Sequence, residues 1–150
     1  MAKSTTDERL AGLLDELRPG HHGVIAGPNE RVDAAFEDLI GAAHTRKLDV
    51  AVVANAGAAT ALVEGVDQVF SPSSGADLGL FAVALATADV IVIADAQELS
   101  GAWVDVVTAA ASKRSTPVRF VVGVATRNDC PDWVDTLQTH DGDVLIEVPV

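Results

Sequence analysis

The sequence predicts a doubly wound α/β fold, a mostly parallel sheet of five to six strands with helices on both faces. Strand-like and helix-like segments alternate along the chain, and the strand-like segments are unbroken apolar runs such as Val90-Ile91-Val92-Ile93. Small polar turns follow those runs. Continuous Val/Ile runs, in place of apolar–polar alternation, mean strands covered on both faces, and strand–helix alternation means parallel strands joined by right-handed crossovers.

Residues 5–18 carry Leu10, Leu13, Leu14 and Leu17 at helical spacing and stop at Pro19-Gly20. That pattern predicts a leading amphipathic helix, within residues 1–20, packed on the sheet or on a partner. Gly23 to Ala26 is the first strand; after Gly27-Pro28-Asn29, with Asn29 as N-cap, Val32, Phe36, Leu39, Ile40 and Ala43 repeat at helical period. Val50 to Ala54 is the second strand, followed by Asn55-Ala56-Gly57 and an Ala-rich segment; Gln68 to Ser71 is the third. Leu78 to Ala88 is apolar on every side, which predicts a helix buried between the sheet and another surface such as a second subunit. Val90 to Ile93 is the fourth strand, ending at Asp95, and Ser100 caps a helix reaching about Lys113. Val118 to Val124 is the fifth strand, Pro131 opens a short helix to about Thr139, and Val144 to Val148 closes the sheet.

A chain of 150 residues is the size of one domain, 1–150, able to bury about two-thirds of its unfolded surface. The apolar stretch Leu78 to Ala88 has about half the roughly 20 residues that span a bilayer, so no transmembrane helix is expected. Met1 to Asp7 lacks the apolar core of a secretory signal, which places the protein in the cytoplasm. The single cysteine, Cys130, excludes an internal disulfide and an all-Cys metal site. Redox chemistry, a bound cofactor and a metal are not expected. Twenty-two acidic residues against ten basic ones leave a net charge of −12, which repels phosphate backbones and anionic membranes, so neither nucleic acid nor membrane is an expected partner. Aspartate outnumbers glutamate by 15 to 7, and lysine occurs only at Lys3, Lys47 and Lys113, a bias of salt-adapted (halophilic) or high-GC sources.

In open parallel sheets ligands bind beyond the carboxyl ends of the strands, where helix N-termini and free amides face a crevice. Four turns qualify here: Gly27-Pro28-Asn29; Asn55-Ala56-Gly57; Ser71 to Gly75, with Ser73, Ser74 and Gly75; and Asp95 with Ser100-Gly101. Glycine lets a ligand approach the backbone, Ser and Asn offer polar contacts, and Asp95 suits a ribose hydroxyl. The same residue types also serve the turns themselves, through capping and positive φ. Neither G-x-x-x-x-G-K-[ST] nor a complete G-x-G-x-x-G follows the first strand, which disfavours P-loop hydrolysis of ATP and ordinary NAD binding.

Val24-Ile25-Ala26-Gly27-Pro28 resembles the first strand and turn of nucleoside 2-deoxyribosyltransferases. So do Ala88 to Asp95, Gly101-Ala102-Trp103-Val104-Asp105 and Pro117-Val118; together these matches cover about a third of the chain. The resemblance implies a carboxylate attacking an anomeric carbon, with Asp105 as nucleophile and Asp95 orienting the sugar or acting as acid/base. Two departures stand out: Asp105 replaces the family's longer Glu, and Ala102 replaces Thr. Ser100 to Asp105 also resembles the region after the fourth strand of TIR-type domains, some of which cleave NAD, although the aromatic-rich first strand of those domains is missing.

His21-His22 is expected in an exposed loop, since zinc needs three or four convergent ligands. Cys130 has no nearby His to activate it and reads as a small buried or capping residue. Trp103 and Trp133 fit stacking on a base, or more simply packing of a helix on the sheet. Asp105 also fits the first turn of a helix as a favourable dipole charge. These residues together point to a domain binding a nucleotide- or nucleoside-like small molecule, with N-glycosidic cleavage or transfer as the implied chemistry. The alternative is a non-enzymatic sensor or a homo-oligomeric assembly subunit, in which Leu78 to Ala88 makes the contact; a homo-oligomer is expected. Flavin binding is disfavoured by the absence of Tyr and of a Ser/Thr-rich phosphate loop after the first strand.

Overall fold

Six apolar runs pair into one all-parallel sheet in the computed structural model, which describes residue 17 and residues 21–27, 29–53, 68–70, 75–93, 99, 101–112, 118–124, 133–134 and 144–147. The strands are β1 (Gly23–Ala26), β2 (Val50–Val53), β3 (Gln68–Phe70), β4 (Val90–Ile93), β5 (Arg119–Val124) and β6 (Val144–Glu147). Their spatial order is β3-β2-β4-β5-β1-β6. The helices among the described residues are α1 (Asn29–Thr45), α2 (Gly75–Ala84) and α3 (Ala102–Ser112). This is the doubly wound α/β architecture that the alternation of runs predicts.

Period-two geometry turns each unbroken apolar run into two faces. Ile25, Val50, Val52, Val90, Val92, Val121 and Ile146 point to one side, where α1 covers them with Val32, Phe36, Leu39 and Ile40. Val24, Ala51, Val53, Ile91, Ile93, Phe120 and Val122 point to the other, under Phe81 of α2 and Trp103 and Val107 of α3. Each of the larger side chains so covered contributes about 1.5–3 kcal/mol relative to exposure.

Handedness then dictates which helix goes where. A right-handed crossover on one face of a parallel sheet moves the chain one way, and on the opposite face the other way. α1 carries the chain from β1 past β5 and β4 to β2; α2 and α3, on the other face, carry it back through β4 to β5.

α1 begins at Asn29 itself, one residue before the expected cap would allow. It ends with Lys47 in the left-handed region at φ 59°, where the Leu48 amide donates to the Ala43 carbonyl and the Lys47 amide to that of His44. That double bond is the Schellman closure, usually built on glycine. α2 occupies Gly75–Ala84 rather than Leu78 to Ala88, and the chain turns at Leu85, Ala86 and Thr87. Phe81 and Ala84 are buried against the rest of the chain, and Leu80 and Val83 face outward from it. Of the expected helix at residues 131–139 only Trp133-Val134 is described, as a single 3₁₀ turn. The leading helix lies outside the described residues except for buried Leu17, whose carbonyl accepts from Arg119 Nε at 2.9 Å.

His22 corrects a second expectation, since it is 1 % exposed rather than a loop residue in solvent. One position before β1 begins, its Nδ1 accepts the Phe120 amide at 3.2 Å, substituting for a backbone carbonyl on the β5 side. A nitrogen that accepts leaves the other protonated, so Nε2–H donates to the Ala111 carbonyl at 3.0 Å, near the end of α3. The same residue's carbonyl accepts the Val144 amide of β6 at 2.9 Å. One imidazole thus ties β1 and β5 to a helix terminus whose last carbonyls have no partner within the helix.

Replacing His22 by Phe keeps a ring against Phe120 but strips both bonds from buried groups. Urea unfolding of His22→Phe is expected to show a lower midpoint at unchanged slope, with a loss of about 2–4 kcal/mol. A variant as stable as the wild type would show that the imidazole bonds are dispensable.

Candidate functional site

Every strand runs in one direction, so every strand-to-helix turn opens at the same end of the sheet and the N-termini of α1, α2 and α3 gather there. Connections from neighbouring strands part company at one place. From β2 the chain moves outward to β3; from β4, beside β2, it moves inward to β5. The carboxyl ends of two strands whose connections diverge in this way, here β2 and β4, are where open α/β sheets accept ligands. The register of the two strands is in phase there, with Val53 opposite Ile93.

Of the residues that the sequence nominates, the structure describes Gly27, Gly75, Gly101 and Asp105, and the backbone of Asn29. The Gly27 amide donates to the Val124 carbonyl at 3.1 Å, so it ties the first turn to β5 and is not turned toward a ligand. Asn29 opens α1, and Gly75 opens α2. Gly101 has φ +53°, a conformation that costs an L-residue energy, and its carbonyl accepts the Asp105 amide at 3.2 Å to start α3. Asn55, Gly57, Ser73, Ser74, Asp95 and Ser100 lie outside the described residues, as does Cys130. In sequence Asn55 and Gly57 follow β2, and Asp95 follows β4, the two strands from which the chain diverges.

Asp105 is exposed in the first turn of α3. The helix buries Trp103, Val107 and Ala111, which sets Asp105 on the side away from the sheet. Trp103 itself is packing: it is 5 % exposed and its ring lies 5.1 Å from that of Phe81. No group of three or more His, Cys, Asp or Glu suited to a metal occurs among the described residues.

The electrostatics of this end follow from the helix starts. Asp77 stands in the first turn of α2 and Asp105 in that of α3. Each acid offsets the partial positive charge of its helix terminus. Arg46, Lys47 and Arg119 lie at the opposite end of the sheet. Asp77 escaped the sequence reading although its position, two residues beyond the helix-opening Gly75, marks it as a first-turn acid. A hollow of about 250 Å³ lined by His44, Lys47, Leu48, Asp49 and Val50 lies at that opposite end, away from the strand-to-helix turns.

No family model and no curated protein matches the chain. Solved structures do. A RuvB variant from Thermotoga maritima superposes with a TM-score of 0.55 at 15 % identity, covering 95 % of this chain and 42 % of the other. The flagellar accessory protein FlaH from Methanocaldococcus jannaschii superposes with a TM-score of 0.53 at 13 % identity, covering 98 % of this chain and 77 % of the other. The chain therefore spans less than half the length of that RuvB chain. At these identities the likeness establishes a shared α/β fold. No helix among the described residues is long and apolar enough to cross a membrane.

Gly101 offers a clean test of how the α3 start is built, because a Cβ added there meets nothing within 4 Å. Gly101→Ala is expected to lose about 1–2 kcal/mol from backbone conformation alone, while Gly101→Asn, whose side chain tolerates the left-handed region, loses less. Thermal unfolding of both variants checks the order; equal losses would point to contacts rather than φ.

Proposed function

We propose that this protein binds a nucleotide- or nucleoside-like small molecule across the carboxyl ends of β2 and β4, and holds it by its nucleoside part rather than by its phosphates. The observation that carries the reading is the divergence of the chain between β2 and β4, since open α/β sheets accept ligands at such a divergence. The starts of α2 and α3 at this end already hold Asp77 and Asp105, so a polyphosphate finds compensated dipoles there instead of free ones. The turn after β1 reads Gly27-Pro28-Asn29-Glu30-Arg31, without the lysine of G-x-x-x-x-G-K-[ST] that reaches terminal phosphates. Carboxylates and amides are suited instead to ribose hydroxyls and base edges, and Asp95 and Asn55 follow the two strands from which the chain diverges.

N-glycosidic cleavage is the finer reading. It requires Asp105 to reach an anomeric carbon together with Asp95, and the exposed position of Asp105 on α3 supports a first-turn dipole charge at least as well. Ligand binding without chemistry is the reading we put forward.

A thermal-shift screen in molar salt against nucleosides, nucleoside mono- and triphosphates and NAD tests it. A ligand at 100 times its Kd adds about 2.7 kcal/mol, which for a domain of this size raises Tm by roughly 5–10 °C. The expected result is that nucleosides and monophosphates stabilise, triphosphates do no better, and Asp95→Ala removes most of the shift. No shift from any compound, or a triphosphate far better than its nucleoside, would overturn the proposal. Chromatography of the stabilising compounds for free base, repeated with Asp105→Ala, reads the cleavage step separately.

A further inference from the structure

Among the described residues, His22 is the ionisable side chain that lies fully buried. Its ring stands edge-on to that of Phe120, with 5.3 Å between centroids. A backbone amide can only donate, so the Phe120 amide fixes Nδ1 as an acceptor and the ring as the neutral form protonated at Nε2. The last turn of α3 holds no basic residue, and Nε2–H serves its Ala111 carbonyl instead. Imidazole is also the side chain that takes up a proton in mildly acid solution, near pH 6.5 when solvated. A proton added at Nδ1 sets two donors against each other, Nδ1–H and the Phe120 N–H, and it puts a charge where the ring has almost no access to water. The partial negative charge at the end of α3 favours an imidazolium. That attraction acts at Nε2, where the neutral ring already donates, and relieves neither cost.

We propose that His22 is a proton-sensitive latch: neutral, it closes β1, β5 and the end of α3 on one ring; protonated, it releases them, so the fold loosens in mildly acid solution. The charged groups of the surrounding elements, among the described residues, are placed so as to leave the ring in control. β1 carries none, and His21 adjoins His22 in the chain. On β5, Arg119 alternates to the opposite face of the sheet from Phe120 and gives its Nε–H to the Leu17 carbonyl. Glu147 is at the far end of β6 from Val144, and Asp105 is six residues back along α3 from Ala111, about 9 Å on the helix axis. Asp89, before β4, has its carboxylate on the Asp49 amide at 2.9 Å. Because the folded ring resists the proton that the unfolded ring accepts, the unfolded chain binds more protons below about pH 6.5, and stability is lost as the pH falls through that range. The inference does not depend on the ligand proposal.

Urea unfolding of the full chain across this pH range, wild type against His22→Phe and His22→Asn, is the test. Neither variant titrates at position 22, and the comparison cancels the carboxylates and the other histidines, His21, His44 and His140. With the folded ring neutral throughout, the unfolding constant of the wild type is expected to rise roughly 30-fold more than that of either variant between about pH 7.5 and about pH 5. The stability gap between wild type and variant therefore closes in acid. A second measurement needs no variant: in the folded wild type, the nitrogen shifts of the His22 ring, recognised by its contact with Phe120, are expected to keep the neutral Nε2–H pattern down to the pH at which the chain unfolds. Equal pH dependence in wild type and variants would overturn the proposal. So would a His22 ring that titrates near pH 6.5 while the chain stays folded, and this reading decides the matter where a variant does not fold.

Discussion

The parallel sheet demands cover on both faces, and most of what this chain does with its length answers that demand. β1, β2 and β4 are buried along their whole length, and β5 everywhere but at Arg119. One strand residue in two needs α1 above it; the next needs α2 or α3 below. Because crossovers keep one hand, that division of helices between faces also decides the order of the strands, and the order places the diverging turns beside β2 and β4. The candidate site is therefore a by-product of how the sheet is sealed. His22 serves the same end at the other edge of the strands, where it supplies a hydrogen bond that neither β1's backbone nor α3's own ladder can provide.

The strands were legible because burial on two faces writes itself as uninterrupted Val and Ile; each expected strand is present within one or two residues. α1 was legible for a related reason, since Val32, Phe36, Leu39 and Ile40 mark one stripe at helical period. α2 was harder. Its residues are apolar all round, so periodicity could not say which side faces the sheet; in the structure Phe81 and Ala84 do, with Leu80 and Val83 turned outward. His22 was missed because its role is long-range. Its partners Ala111 and Phe120 lie 89 and 98 positions away, and nothing local distinguishes a histidine that braces a sheet from one in a loop.

The candidate site was legible as a location and less so as chemistry. Turn composition marks the carboxyl ends of strands equally well whether residues cap a helix or contact a ligand, and the structure shows one of them occupied with internal work: Gly27 gives its amide to Val124. Asp105 illustrates the same ambiguity for charge. In sequence it stands ten positions beyond Asp95, as a catalytic pair might; in the fold it sits outward on α3 in the place a helix favours for an acid.

The register of β1 has a consequence for how the protein comes into being. Its two partners are β5 and β6, so Gly23 pairs with Val121 and Val144, nearly the whole chain away. β1 leaves the ribosome well before either partner strand, and until they follow, Val24 and Ile25 have no strand beside them. Closing so large a loop makes assembly slow compared with folds of local contacts. A chain interrupted before β6 would retain β2, β3 and β4 as a possible nucleus yet leave β1 open on one side, a species prone to sticking to others of its kind. The net negative charge repels like chains in that interval as well as in the finished protein.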